Sequence, residues 1–137
     1  MATITGLTMS IVQTYAPTGN TCVVNYSYTL NCNAEEEALG LALSFSVAAE
    51  LWGKDGSLFT GADDALGTPP YDAHTINCGS TMPITRSFTL ANCALLNEDL
   101  GRDEIYLKLK VTPSSGTPSV PAITTIEADS PVVTGYF

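Results

Sequence analysis

Cys22-Val23-Val24-Asn25-Tyr26-Ser27-Tyr28-Thr29-Leu30-Asn31-Cys32 decides the fold class. Cys22, Val24, Tyr26, Tyr28, Leu30 and Cys32 fall on one side of an extended chain, and Asn25, Ser27, Thr29 and Asn31 on the other. Side chains alternate across a β-strand, so an apolar period of two reads as a half-buried strand. β-branched and aromatic residues add to that preference.

Outward from this stretch the alternation recurs. Leu7, Met9, Ile11 and Gln13 alternate with Thr8, Ser10 and Val12, which predicts a strand near 4–13, closed by the turn residues Ala16 to Asn20. Glu35-Glu36-Glu37 reads as a solvated loop. Leu39, Leu41, Leu43, Phe45, Val47, Ala49 and Leu51 then alternate with a small-residue set, as in a central strand covered on both faces. Further strands are expected at 83–91, where Arg86 is in phase with Ile84, Phe88 and Leu90, and at 104–112, with Ile105, Leu107, Leu109 and Val111 inward and Tyr106, Lys108 and Lys110 outward. Leu95 to Leu100 fits one helical turn, 113–118 a loop, and 121–128 and 131–137 the last strands. From Gly53 to Thr75 turn formers crowd together without a sustained period, which reads as a long loop that is functional or has local structure of its own. Seven or eight short strands and no internal repeat predict a single antiparallel β-sandwich over 1–137, immunoglobulin-like or C2-like.

Composition narrows the function. The chain has 137 residues, with 5 basic against 14 acidic side chains and a net charge of −9. That length holds one domain with a real core. The acidic balance disfavours phosphate backbones and anionic bilayers, so no nucleic-acid partner is expected. No apolar run is long enough for a membrane span. The start at Met1-Ala2-Thr3-Ile4 reads as no signal peptide, which leaves the compartment open.

Cys22, Cys32, Cys78 and Cys93 form no CxxC, and one histidine cannot complete a zinc set. Two cysteines at the ends of one strand lie about 33 Å apart at 3.3 Å per residue. A bridge needs Cα atoms within about 7 Å, which excludes Cys22 with Cys32. The pairs left are 22–78 with 32–93, or 22–93 with 32–78; four buried free thiols are an equal alternative.

Leu51-Trp52-Gly53-Lys54-Asp55-Gly56, followed by Ala62-Asp63-Asp64-Ala65-Leu66-Gly67, resembles the third calcium loop of C2 domains. The resemblance covers residues 51–67 and implies calcium as the one candidate cofactor, with Asp55 and Asp64 at the second and third aspartate positions; Asp63 beside them is a further candidate ligand by oxygen count. Gly53 stands where the first aspartate of that loop belongs, and the loop is about three residues longer than the common form. Leu100 and Tyr106 have the spacing of a fibronectin type III tyrosine, but Tyr106 is in phase with Lys108 and Lys110 on the solvent side. Residue 108 is lysine where an immunoglobulin domain carries cysteine.

Trp52, Phe59 and Tyr71 border the long loop and form a candidate aromatic platform for a sugar or peptide, with Trp52 also suited to plugging the core. His74 reads as an exposed loop histidine, and no GxSxG or phosphate-binding glycine loop is present. The functional expectation is a non-enzymatic binding, adhesion or assembly module acting through loops or a sheet edge. Its partner would be a protein or a carbohydrate, and a homo-oligomer is compatible with it. A calcium-dependent C2-like module and a small carboxylate-based hydrolase are the alternatives.

Overall fold

The computed structural model describes residues 3–15, 17, 19–32, 44–54, 63–77, 83–96, 103–113 and 125–137. Two antiparallel sheets pack face to face as an all-β sandwich. Nine strands are formed by the described residues: β1 Thr3–Thr14, β2 Thr21–Asn31, β3 Ser44–Gly53, β4 Asp64–Ala65, β5 Asp72–Asn77, β6 Ile84–Leu90, β7 Asp103–Pro113, β8 Ile126–Asp129 and β9 Val133–Gly135. The first sheet has the order β1-β2-β6. The second is centred on β3 and β7, with β4 and β5 both pairing β3 and with β8 and β9 both pairing β7.

The alternation places the core as expected. Val24, Phe45, Ala49, Leu51, Leu96, Ile105, Leu107, Leu109 and Val111 are fully buried, and Tyr26, Tyr28 and Val47 nearly so. β2 alternates half-buried and buried positions from Thr21 to Leu30. β1 changes phase by one residue across a register shift between Thr5 and Thr8: Ile4 faces inward before it and Leu7, Met9 and Ile11 after it, and Gly6 takes φ +63°, a left-handed conformation that suits glycine.

Both flanks of the second sheet step away from the centre and return. Beyond β4, Leu66 N donates to Leu51 O and Tyr71 N to Ala49 O, so the chain rejoins β3 before β5 begins. Between β8 and β9, Ser130 N donates to Leu107 O while Leu107 N donates to Ser130 Oγ, and the serine hydroxyl stands in for a strand carbonyl.

Several expectations change here. The stretch 53–75 has local structure of its own, one of the two expected outcomes, since it holds β4 and the start of β5, though residues 72–75 are strand and not loop. His74 therefore sits on a strand, its side chain only 9% exposed. Tyr106 keeps the predicted phase but is buried, because residues 63, 129 and 130 cover that end of the outer face. Trp52 lies on the same outer face and plugs nothing: Lys108 Nζ stands 4.7 Å over its ring, and its Nε1 donates to Glu50 Oε1.

Cys22 and Cys93 are joined, their Cα atoms 5.4 Å apart, which is one of the two pairings the spacing allows. Cys32 is disulfide-bonded as well, so the free-thiol alternative falls; Cys78 lies outside the described residues. The helical turn is a short 3-10 segment, Cys93–Leu96, set earlier than expected and carrying one half of the bridge.

Candidate functional site

The side where β5 faces β6 carries a polar cluster built from both sheets. β2 turns Tyr26 and Tyr28 inward, and their hydroxyls, buried between the sheets, require partners. β5 supplies Asp72 and His74 on its inward face, and β6 supplies Arg86. Asp72 Oδ2 accepts from Tyr26 Oη at 2.6 Å and from Arg86 Nε at 2.7 Å, and Asp72 Oδ1 accepts from Arg86 Nη2 at 3.0 Å. Tyr28 Oη and His74 Nε2 share a hydrogen bond of 2.5 Å. Phe88 closes the cluster, stacked on Tyr71 and edge-on to Tyr26.

Electrostatics follow from these contacts. The guanidinium of Arg86 holds the Asp72 carboxyl down to about 2, with burial opposing and Tyr26 assisting. Burial lowers the basicity of His74, and the nearby Arg86 charge lowers it further against the pull of Asp72. Burial pushes the Tyr28 hydroxyl up to about 12 and, with Asp72, pushes Tyr26 higher still. The resting state is thus carboxylate, guanidinium, neutral imidazole and two neutral phenols.

Tyr28, His74 and Asp72 follow the order of a nucleophile, base and orienting acid, yet the geometry opposes that use. His74 Nδ1 lies 4.0 Å from Asp72 Oδ2, beyond hydrogen-bonding range, and has no hydrogen-bond partner among the described residues. Asp72 is already engaged by Arg86. Tyr28 is 1% exposed, so no substrate atom reaches its hydroxyl. The cluster's chemistry is that of a clamp between the sheets.

Of the sequence-derived aromatic candidates, the two that lie among the described residues are apart. Tyr71 lies between the sheets, its hydroxyl donating to Leu66 O, whereas Trp52 is on the outer face of the second sheet. These two share no platform, and Phe59 lies outside the described residues. Asp63 Oδ2 accepts from Tyr106 Oη at 2.9 Å. Asp64 pairs with Gly53 as backbone in β4, and Asp55 lies outside the described residues. Among the described residues no three metal-ligating side chains converge.

The signal for the clamp was present in the chain. Arg86 in phase with Ile84, Phe88 and Leu90 demands a carboxylate, and two successive inward tyrosines demand acceptors.

Charge is divided unequally between the sheets. β1, β2 and β6 carry a single charged residue, Arg86, and it turns inward. The outer face of the other sheet holds Glu50, Lys108, Lys110, Glu127 and Asp129, with Lys110 Nζ 3.4 Å from Glu50 and Lys108 Nζ 3.9 Å from both Glu127 and Asp129. β1 is the outermost strand of the neutral sheet, and among the described residues it pairs with β2 alone.

No protein-family model and no curated protein matches the chain. Among solved structures it is similar to the structural-genomics target SoR45, at 12% identity over 97% of this chain and 84% of that one, with a TM-score of 0.39. It is also similar to a Bordetella pertussis protein provisionally named ApaA, target BeR40, at 11% identity over 94% and 91% of the two chains, with a TM-score of 0.37.

Proposed function

We propose that the protein is a non-enzymatic binding and assembly module that acts through the β1 edge of its neutral sheet. One observation carries this reading. β1 runs for 12 residues, Thr-Ile-Thr-Gly-Leu-Thr-Met-Ser-Ile-Val-Gln-Thr, with no charge and no proline. Edge strands ordinarily carry lysine, proline or inward charges because their unpaired amides and carbonyls recruit other strands. A protein with a net charge of −9 that places none of it on its longest edge strand leaves that edge suited to strand addition.

The sealed Tyr28–His74 pair supports a structural use of its one histidine. The Cys22–Cys93 bridge favours an oxidising compartment. No helix among the described residues is long and apolar enough to cross a membrane.

The test uses a generic strand. A capped Thr-Val-Thr-Val-Thr peptide, titrated into the isotope-labelled full chain, should shift backbone amide resonances along β1. Shifts confined to β6 or to loops, or none at all, would overturn the reading.

A further inference from the structure

We infer that the strand added to β1 is the β1 of a second copy, in antiparallel register about Ile11; this rests on the edge-binding reading above. Beyond the register shift at Thr5 to Thr8, the strand reads Thr8-Met9-Ser10-Ile11-Val12-Gln13-Thr14. A twofold axis through Ile11 sets Thr8 against Thr14, Met9 against Gln13 and Ser10 against Val12, with Ile11 against itself. Directly opposed residues of an antiparallel pair share a face. The outward pairs are then hydroxyl with hydroxyl and small with small, and Val12, 53% exposed in one copy, gains a neighbour. The inward pairs match two unbranched side chains of similar length and two isoleucines. The segment is close to self-complementary, as an isologous interface requires.

Charge separation favours the same partner. Two copies each carrying −9 repel, and an interface between their charged sheets would be opposed by that repulsion. Joining through β1 puts no charged side chain in the paired strands, leaves Glu127 and Asp129 of the facing β8 on the outward side of the second sheet, and continues the neutral sheet from three strands to six. An edge with no charge offers nothing to recognise a charged peptide, whereas a copy of itself meets no unpaired charge.

Sedimentation equilibrium of the full chain from about 10 µM to about 1 mM, the range in which small interfaces assemble, should show mass rising from 14.4 kDa towards twice that value. Ser10→Lys with Val12→Lys puts two like-charge pairs across the twofold and should weaken association about tenfold or more. Ser10→Lys with Val12→Glu faces the new lysine of one copy with the new glutamate of the other and should restore it. Matching melting temperatures for the two variants show that the fold is intact in both. A wild type monomeric throughout, or a like-charge variant that associates as well as wild type, overturns the proposal. Loss of association in both charged variants overturns the register about Ile11. A monomeric wild type whose β1 amides still respond to the Thr-Val peptide removes the second copy while leaving the edge-binding reading in place.

Discussion

Asp72 of one sheet and Arg86 of the other meet fork to fork, Nε to Oδ2 at 2.7 Å and Nη2 to Oδ1 at 3.0 Å. Charge-assisted bidentate pairs are the stronger class of protein hydrogen bond, and this one joins strands that share no ladder. Asp72→Asn removes the charge while Tyr26 Oη and Arg86 remain, and should cost about 2–3 kcal/mol; Arg86→Met, at the wetter end, should cost about 1–2 kcal/mol. Urea unfolding of both single variants and the double variant checks this. Additive losses would show that the pair contributes no coupling.

Acid should weaken the protein in two stages. Folding lowers the proton affinity of His74 through burial, so below pH 6.5 the unfolded chain binds the proton first and stability falls with pH. Asp72 has the same sign: its carboxyl drops from 3.8 to about 2 on folding, so its contribution is present above 3.8 and is lost as pH falls towards 2. His74→Gln should remove the upper stage and leave the lower one. Melting temperature against pH for wild type and His74→Gln measures both.

On β7 the two faces should respond unequally. Leu107→Ala truncates a fully buried side chain and should cost about 2–5 kcal/mol. Lys108→Ala loses the contact over Trp52 and two long ion pairs to half-exposed carboxylates, and should cost less than about 1 kcal/mol. Denaturant midpoints for the two variants are the measurement.

Calcium should move the melting temperature no further than magnesium does. Asp63 is already held by the Tyr106 hydroxyl, and Gly53 offers no carboxylate beside Asp64. A calcium-specific rise at about 10 mM that Asp64→Asn abolishes would support the C2-like reading.

The strands that were legible in the chain are those whose inward positions are apolar. β2, β3 and β7 announce themselves through Val24, Val47 and Leu107 and their neighbours two residues away. β5 did not, although it alternates just as regularly, because two of its inward positions are Asp72 and His74. Hydropathy alternation detects burial by apolar side chains, and here burial is achieved by pairing polar groups across the sheets. Tyr106 shows the converse limit: its phase was readable, but covering of the outer face by residues 63, 129 and 130 depends on chain returns that no local pattern encodes.

The bond between Cys22 and Cys93 closes a covalent ring that contains all but the first residue of β2 together with β3, β4, β5 and β6, while β1 and β7 to β9 hang outside it. A protease that cuts the chain once anywhere between those two cysteines therefore releases no fragment. The nicked molecule keeps its mass until a reductant is added, and β2 and β6, bonded from Cys22 with Leu90 to Tyr28 with Ile84, still hold the two pieces in register. A cut after β7 leaves β8 and β9 with no covalent tie, held only by their pairing with β7. Tolerance to cleavage is thus written into the connectivity, generous over the middle of the chain and absent at its two ends.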